Sequence, residues 1–482
     1  MSRQKVVLYN PQAVFYTMPL ALLAVGSALD PAKYDVRIVD GRLEQDPIAA
    51  VLAEIDNALC LGMTVLTGAP IRDALQVSRA VKARRPDLPV IWGGWHSSLF
   101  PEETLDEPSI DITVQGQGEE TFVELVGRLA GGVPQTEPHL IAGTAERANG
   151  QVIRNPSRPM RDMNGLPAHD YHLLPVERYF TLKGERQLDY ISSTGCFFRC
   201  AFCADPFVFK RRWTGLEPAR MGEEIEALWH RYHFVDLAFQ DETFFTYRER
   251  AIAVAEEFLR RLGAGNGVPT NQSFTWTATM RADQGERLGD DTMALCVRSG
   301  LRRVMIGVES GAQNMMDWMQ KDISVEQVLK SAELCVRHGI GAIFPFIVGF
   351  PGETDASVQA SLSLVKRLRS MSPQFETPIF YFKPYPGSSI TDSVVRQGYT
   401  LPATLDQWAE FDFVGSSGPW VSEEMHERIE RFKFYNRFAW GPETWPRRPL
   451  QAIARWRCRR DFYQAPVEKR IVERLKPQPK LS

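Results

Sequence analysis

Three cysteines lie close together in one short segment of the chain. Cys196, Cys200 and Cys203 are separated by three and two residues, so one loop could turn all three thiolates toward one point. Three thiolates can hold a 4Fe-4S cube and leave its fourth iron without a protein ligand. A zinc site would need a fourth Cys or His nearby, and a redox pair would use only two cysteines. Because no histidine lies in this segment, the spacing favours a cluster whose open iron binds an outside ligand.

The other cysteines and the overall charge exclude several protein classes. Cys60, Cys296, Cys335 and Cys458 are far apart in the sequence, so we expect no disulfide framework. Cys60, Cys296 and Cys335 are expected to act as small hydrophobic residues. The formal net charge of −3 and a pI near 6.3 argue against a nucleic-acid partner. No secretory signal and no run of about 18 uncharged apolar residues is visible, which predicts a cytoplasmic protein without a transmembrane segment.

The elements that must position these cysteines form two successive α/β patterns. In residues 1–145, apolar runs at 5–9, 36–39, 58–63, 89–92 and 112–114 alternate with helical patterns, which predicts a doubly wound, Rossmann-like domain. Several of these runs end in small or polar turn residues, at the edge where open α/β sheets bind ligands. Residues 146–186 mix Pro, Gly, Arg and Asn and are predicted to form a linker.

The alternation resumes at residue 187. Apolar runs near 190–193, 236–240, 274–279, 304–307, 342–348 and 375–382 predict a partial (β/α)6 barrel over residues 187–390. The three cysteines follow its first strand, where barrel enzymes place their chemistry. Residues 391–482 are predicted to form a helical C-terminal region. The fold class is therefore α/β, with a helical third part.

The Cys-x-x-x-Cys-x-Phe-Cys motif on the first strand of a partial barrel resembles the radical S-adenosylmethionine (SAM) superfamily. The resemblance implies that SAM binds the open iron and that an external donor of the flavodoxin or ferredoxin type reduces the cluster. SAM is then cleaved to a 5′-deoxyadenosyl radical, which removes a hydrogen atom from the substrate. Asp-Glu-Thr replaces the family's Gly-Gly-Glu, so the resemblance leaves open whether Asp241 or Glu242 binds the SAM amino group. The other SAM-binding residues that it implies are Phe202 near the adenine, Arg281 at the carboxylate, Glu309 and Ser310 at the ribose, and Gly349 beside the adenine.

The first domain resembles the cobalamin-binding domain that precedes the barrel in one branch of this superfamily. Methionine synthase and the mutases bind cobalt through an Asp-x-His-x-x-Gly loop, which is missing here. We therefore interpret His96 as a loop residue near the corrin and not as a cobalt ligand. A nucleotide-binding or an empty domain is the alternative. The resemblance implies cobalamin contacts from Asp40, Thr64, Gly93, Gly94, Trp95, His96, Gly116, Gly118 and Glu119.

With both cofactors, the expected reaction is methylation of an unactivated carbon of a small molecule or lipid. A radical cyclase that acts on a magnesium porphyrin ester has the same domain order and is the nearest alternative. A methylthiotransferase acting on RNA would be expected to carry a further RNA-binding domain or more cysteines. A cobalamin-based or cluster-based sensor is the alternative outside catalysis.

The C-terminal region combines aromatic and basic residues. This composition suits an anionic, partly apolar substrate or an acidic lipid surface, although a helix that caps the barrel with a solvated basic face would look the same. The aromatic residues are Trp440, Trp445, Trp456, Phe462 and Tyr463, and the basic ones are Arg447, Arg448, Arg455, Arg457, Arg459 and Arg460.

Overall fold

The N-terminal sheet contains all five predicted parallel strands. The structure, a computed structural model, describes residues 3–14, 16–132, 140–148, 150–263, 274–411, 417–441 and 448–475. The strands are β1 Gln4–Asn10, β2 Tyr34–Asp40, β3 Ala58–Thr64, β4 Val90–Gly93 and β5 Ile112–Val114, in the spatial order β2-β1-β3-β4-β5. The helices between them are α1 Leu20–Ser27, α2 Pro47–Glu54, α3 Pro70–Arg84, α4 Trp95–Leu99 and α5 Glu119–Ala130.

Helices cover both faces of this sheet, which confirms the doubly wound prediction. Val7 and Tyr9 of β1 pack with α2 and α3 on one face, and Val6 and Leu8 pack with α1 and α5 on the other. Successive side chains of a strand point to opposite faces. All four β1 residues are therefore buried, and the strand appears in the sequence as an apolar run without alternation.

An antiparallel hairpin, β6 Thr144–Ala148 and β7 Gln151–Arg154, extends the sheet beyond β5. It crosses the predicted domain boundary at 145 and occupies the start of the predicted linker. Thr144 and Glu146 of β6 are buried polar residues, and Asn155, just after β7, donates to Thr144 Oγ1 at 2.9 Å and to Glu146 Oε1 at 3.2 Å. Ala145, between them, joins the apolar core. A search for runs of apolar residues misses a strand in which polar residues alternate with a single small apolar one.

The barrel domain follows, and its strands are β8 Gln187–Tyr190, β9 Ser193–Gly195, β10 Trp213–Gly215, β11 Asp236–Phe239, β12 Thr275–Arg281, β13 Leu301–Gly307, β14 Gly341–Ile343, β15 Phe346–Val348, β16 Phe375–Glu376 and β17 Ile379–Tyr381. Strands β9 and β10 pair with each other, as do β15 and β17. The parallel order is β8-β11-β12-β13-β14-β16, as expected for an open barrel of six strand-helix units. The associated helices are α6 Val176–Lys183, α7 Asp205–Val208, α8 Pro218–Tyr232, α9 Arg248–Leu262, α10 Ala282–Arg298, α11 Gln313–Trp318, α12 Val325–Arg337 and α13 Asp355–Met371. Short 3-10 turns lie at Glu103–Asp106, Met163–Gly165 and Tyr171–Leu173.

The last two predicted barrel strands are each divided by a proline. Pro345 separates β14 from β15, and Pro378 separates β16 from β17. Proline has no N–H to donate to a ladder, but its carbonyl still accepts. Pro345 accepts from Glu309 N at 3.0 Å, and Pro378 accepts from Phe346 N at 2.9 Å. The barrel wall therefore continues to its C-terminal mouth.

The C-terminal helices pack against both preceding domains. They are α14 Ser389–Arg396, α15 Leu405–Ala409, α16 Glu423–Ala439, α17 Arg448–Arg460 and α18 Val467–Leu475. Leu405 and Trp408 of α15 join the core of the first domain, whereas Phe432, Tyr435 and Cys458 of α16 and α17 join the barrel core. Trp445 and Arg447 lie outside the described residues. Within the described chain, none of the helices has the length and apolar character needed to cross a bilayer.

Candidate active site

The cysteine loop is enclosed by a small hairpin. Strand β9 ends immediately before Cys196 and pairs antiparallel with β10, so residues 196–212 form the connection. Gly195 has a φ of +82°, and a Cβ there would lie 2.3 Å from the carbonyl oxygen of Arg212, so only glycine fits. Cys196, Cys200 and Cys203 are all free thiols and partly buried.

Three contacts from later parts of the barrel hold this loop. Ala201 donates its N–H to Met319 O at 2.7 Å, and its carbonyl accepts from Ile390 N at 3.0 Å. The Arg199 guanidinium forms a bidentate pair with Asp322 at 2.8 and 2.9 Å. Residues outside the loop therefore fix its conformation. Metal ligands bind best when the surrounding structure already holds them in place.

Arg281 lies against the cysteine loop. Its Nη1 is 3.5 Å from Cys200 Sγ, its Nη2 donates to Lys321 O at 2.6 Å, and its Nε donates to Asp283 at 3.0 Å. The guanidinium carbon stands 3.6 Å from the centre of the Phe198 ring. The side chain predicted to bind the SAM carboxylate is thus placed beside a cysteine sulfur, with each of its nitrogens directed at a protein acceptor.

The two neighbouring carboxylates after β11 have different surroundings. Asp241 is 1% exposed and accepts hydrogen bonds from Ser192 N at 2.8 Å and from the hydroxyls of Ser192 and Ser193, both at 2.6 Å. Glu242 instead lines a cavity and accepts from Gly195 N at 3.2 Å. Asp241 therefore fastens the turn between β8 and β9, and Glu242 is the carboxylate that a ligand can reach.

A second acidic side chain was missed from the sequence. Asp205, two residues after Cys203, is 3% exposed, and neither of its carboxylate oxygens has a hydrogen-bond partner among the described residues. Burial raises the pKa of Asp205 to about 7. Burial and the nearby Asp205 charge together raise the pKa of Glu242 to about 8. A cationic ligand would stabilise the ionised forms of these two carboxyl groups, so the site beside the cysteines favours such a ligand.

Glu309 is linked to the cysteine loop by Lys321, which pairs with its carboxylate and lies near the Phe202 ring. Glu309 has a φ of +66°, a strained conformation for a residue with a side chain. Its Oε1 lies 2.5 Å from Lys321 Nζ, and that ammonium is 5.4 Å from the centre of the Phe202 ring. The structure thus brings Glu309 and Phe202 to the same side of the loop. Lys321, which links them, has no distinguishing signal in the sequence.

Ser310 and Gly349 have structural partners. Ser310 is fully buried, its hydroxyl lies 3.2 Å from that of Ser361, and it accepts from Ala312 N at 3.1 Å. A Cβ on Gly349 would lie 2.2 Å from Val421 Cγ2, and its φ is +82°. Close packing therefore accounts for the absence of a side chain at Gly349.

The three thiols do not converge on a single-ion site. Within the described part of the chain, no three His, Cys, Asp or Glu side chains are placed to hold one metal ion. In a 4Fe-4S cluster each thiolate binds a different iron, so the sulfurs stand farther apart than in a tetrahedral zinc site. The N–H of Arg281 on Cys200 is a contact that the sulfur ligands of such clusters commonly accept.

A slot of about 250 Å³ runs between the ends of β1, β3, β4 and β5 and the helices α1 and α5, and reaches Thr194 and Glu242 of the barrel. A Cβ on Gly116 would meet nothing within 4 Å, and the buried Nε2 of Gln117 has no partner among the described residues. The slot thus combines apolar walls with an unused donor, which fits a large ligand of mixed polarity. Its lining includes seven of the predicted cobalamin residues: Thr64, Gly93, Gly94, Trp95, Gly116, Gly118 and Glu119.

Asp40 and His96, also predicted as cobalamin contacts, line neither this slot nor the larger cavity described next. Asp40 binds Arg42 and the Tyr179 hydroxyl, each at 2.6 Å. His96 is 1% exposed, and its ring packs 5.7 Å from that of Trp408. Neighbouring helical residues point in different directions, so Trp95 faces the cavities while His96 faces the core. Burial lowers the pKa of His96 to about 3.

A larger cavity, of about 750 Å³, opens between the two domains. Leu66 and Thr67 from the loop after β3 line it on one side, and Phe202 and Cys203 line it on the other. Trp95 borders both this cavity and the slot. The ligand-binding edge of the first domain and the cysteine loop of the barrel therefore line one shared cavity.

Comparison with protein families matches both parts of this arrangement. Residues 190–365 match the model of the Radical SAM superfamily, and residues 8–126 match that of the B12 binding domain. The chain belongs to the cobalamin-dependent radical SAM enzymes. The predicted family and its cofactor set are thereby confirmed.

Among three curated relatives of this radical SAM enzyme, two are named as methyltransferases and one as a cyclase. An uncharacterized methyltransferase of Pyrococcus horikoshii is 29% identical over 426 residues, which cover 87% of this chain and 88% of that protein. Cytidylyl-2-hydroxyethylphosphonate methyltransferase of Streptomyces wedmorensis is 24% identical, with 89% of each chain covered. Anaerobic magnesium-protoporphyrin IX monomethyl ester cyclase of Rubrivivax gelatinosus is 27% identical over 74% of this chain, and the match spans 62% of the cyclase.

The fold also matches a solved structure. The radical SAM methyltransferase TsrM from Kitasatospora setae, with cobalamin and a 4Fe-4S cluster bound, superposes with a TM-score of 0.67 at 19% identity over 82% of this chain and 75% of TsrM. A second TsrM structure holds tryptophan substrate and a SAM analogue and gives a TM-score of 0.68 at 20% identity, covering 83% of this chain and 78% of TsrM. The similarity establishes the shared order of domains.

Proposed function

We propose that this enzyme transfers a methyl group from SAM to an unactivated carbon of a small molecule or lipid. The observation that carries the proposal is the 750 Å³ cavity, because Cys203 and Phe202 line it together with Leu66, Thr67 and Trp95 of the B12 domain. A substrate in that space would have access to both cofactors at once. When bound, the cluster and SAM supply a 5′-deoxyadenosyl radical, and cobalamin supplies the methyl group.

In this proposal the protein residues bind and orient. Cys196, Cys200 and Cys203 hold three irons of the cluster. Glu242 accepts hydrogen bonds from the SAM ammonium, and the unpartnered carboxylate of Asp205 adds negative charge toward the cationic ligand. The B12 domain holds cobalamin along the slot, where Gln117 Nε2 is available as a donor.

The walls of the larger cavity support a partly apolar substrate. Ala13, Val14, Leu66, Pro70 and Leu99 contribute apolar side chains to it. Burial of apolar substrate surface would give binding energy without fixing one orientation. The proposal also includes an external donor of the flavodoxin or ferredoxin type, which reduces the cluster. It further includes a cytoplasmic location.

Product analysis tests the proposal. The protein, reconstituted anaerobically with iron, sulfide and cobalamin, is reduced and incubated with methyl-deuterated SAM and a small-molecule and lipid extract. Methyl transfer requires S-adenosylhomocysteine from the donor SAM together with 5′-deoxyadenosine from the cleaved SAM, and a deuterated methyl group in an extract component. A Cys203→Ala variant, treated in the same way, is the control and should form no 5′-deoxyadenosine.

The similarity to the magnesium-porphyrin cyclase favours cyclisation as the second candidate. That reaction would yield 5′-deoxyadenosine without S-adenosylhomocysteine, because no methyl group leaves SAM. A sensor would bind both cofactors and form neither product. Either outcome contradicts the methyl-transfer proposal.

A further inference from the structure

The last two described helices expose large apolar side chains. Trp456 is 52% exposed and Ile453, one turn earlier on α17, is 39% exposed. Phe462, 40% exposed, places its ring 5.8 Å from that of Trp456, and Val467 at the start of α18 is 54% exposed. These four residues, with Arg459 and Arg460, are called the outer face below.

The same segment is strongly basic, although the whole chain carries a net charge of −3. Residues 448–475 contain eight Lys and Arg against three Asp and Glu. Two of the three acids are neutralised, since Asp461 pairs with Lys366 at 2.7 Å and Glu468 pairs with Arg457 at 2.9 Å. Arg459 and Arg460 are exposed and form no ion pair with any described residue. The outer face therefore has positive charge without a partner in the described chain.

The inner face of α17 already accounts for packing on the barrel. Ala454 and Cys458 are fully buried in the barrel core. Arg457, 6% exposed, donates to the carbonyls of Phe462 and Gln464 at 3.2 and 2.9 Å, and thereby fixes the turn that leads into α18. A helix that only caps the barrel needs this inner face. It does not need tryptophan, isoleucine and phenylalanine on the opposite side.

We infer that the outer face binds the surface of an anionic lipid bilayer. Helices that lie in the membrane interface combine exposed Trp, Phe and Ile with Lys and Arg, and their binding adds apolar burial to attraction by acidic headgroups. Each arginine near such a surface strengthens binding further, and salt weakens its contribution. Charge complementarity thus selects an anionic bilayer over a neutral one. This inference does not depend on the proposed methyl transfer.

Vesicle flotation with the full chain tests the inference. We expect the protein to float with phosphatidylglycerol vesicles, to stay unbound with phosphatidylcholine vesicles, and to lose binding as NaCl is raised. Arg459→Glu combined with Arg460→Glu should weaken binding at least tenfold, and Trp456→Ser should weaken it severalfold. The matched control is Val235→Ser combined with Arg298→Glu, because these residues are exposed on the barrel and should leave binding unchanged.

Several results would overturn the inference. One is absence of binding to phosphatidylglycerol vesicles at low salt. Another is loss of binding in the arginine variant but not in Trp456→Ser, which would indicate simple charge adsorption. A third is unchanged vesicle binding in the variants together with lost affinity for a soluble acidic flavodoxin, which would identify a protein partner. Circular dichroism and thermal unfolding of each variant separate these results from misfolding.

Discussion

The guanidinium of Arg281 donates toward the sulfur of Cys200, with 3.5 Å between Nη1 and Sγ. The reduction potential of an iron-sulfur cluster depends on the hydrogen bonds that its sulfurs accept. An N–H on a cluster ligand stabilises the reduced cluster, which carries one more negative charge. Arg281 is therefore placed to raise the reduction potential of a cluster bound by Cys200.

Removal of this hydrogen bond should lower the potential of the cluster. We expect Arg281→Met to shift the midpoint by about −50 mV, close to the 59 mV that a tenfold change represents in a one-electron couple. Arg281→Lys should give a smaller shift, since it keeps the charge but loses the planar stack on Phe198. A redox titration followed by electron paramagnetic resonance measures both. An unchanged potential with weaker SAM binding would instead place Arg281 at the SAM carboxylate.

The two carboxylates after β11 should respond differently to amide substitution. Glu242→Gln should raise the dissociation constant for SAM about tenfold, because an amide cannot become the carboxylate that a bound ammonium stabilises, and should leave stability nearly unchanged. Asp241→Asn should lower the free energy of unfolding by about 3 kcal/mol, because the Ser192 and Ser193 donors lose a buried carboxylate. Equilibrium dialysis and denaturant unfolding measure the two effects. The reverse pattern would assign Asp241 to the ligand.

Substitution of any of the three loop cysteines should abolish iron binding, whereas substitution of the other four should not. Cys196→Ala, Cys200→Ala and Cys203→Ala should each prevent stable cluster assembly, because two thiolates cannot hold the cube. Cys335→Ala is the matched control, since Cys335 is fully buried in the barrel core. Iron and sulfide analysis after anaerobic reconstitution gives the result. A control variant that also lost iron would show that the loss comes from general destabilisation.

His96 should make the folded protein sensitive to acid. Its pKa is about 3 in the folded state because of burial, against about 6.5 in an unfolded chain. Below pH 6.5 the unfolded state therefore binds a proton that the folded state does not. The free energy of unfolding should fall by up to about 1.4 kcal/mol per pH unit as the pH drops from 6.5 toward 3.

The measurement compares pH profiles of stability. Between pH 6.5 and 4.5, His96→Gln should lose less stability per pH unit than the native protein in denaturant unfolding. His172→Gln is the control, because the His172 side chain is exposed and paired with Asp170 at 2.6 Å. Parallel slopes for His96→Gln and the native protein would contradict a neutral, buried His96.

The sequence alone determined the two α/β patterns, the family and the cysteine loop. These features are local: a fully buried parallel strand is a continuous apolar run, and one loop carries all three thiols within eight residues. The sequence could not reveal hairpin β6-β7, which buries the polar residues Thr144 and Glu146. Nor could it reveal the breaks at Pro345 and Pro378, whose effect depends on the neighbouring strands.

Tertiary structure decided what each candidate side chain faces. Asp241 and Glu242 are adjacent in the chain, yet one is enclosed by serine donors and the other lines a cavity. Arg281 meets Cys200 across 81 positions of sequence, and His96 meets Trp408 across more than 300. Residue type and spacing specify which groups are available for chemistry. The charge and the orientation of these side chains depend on their burial and on their hydrogen-bond partners. Both arise only when distant segments pack together.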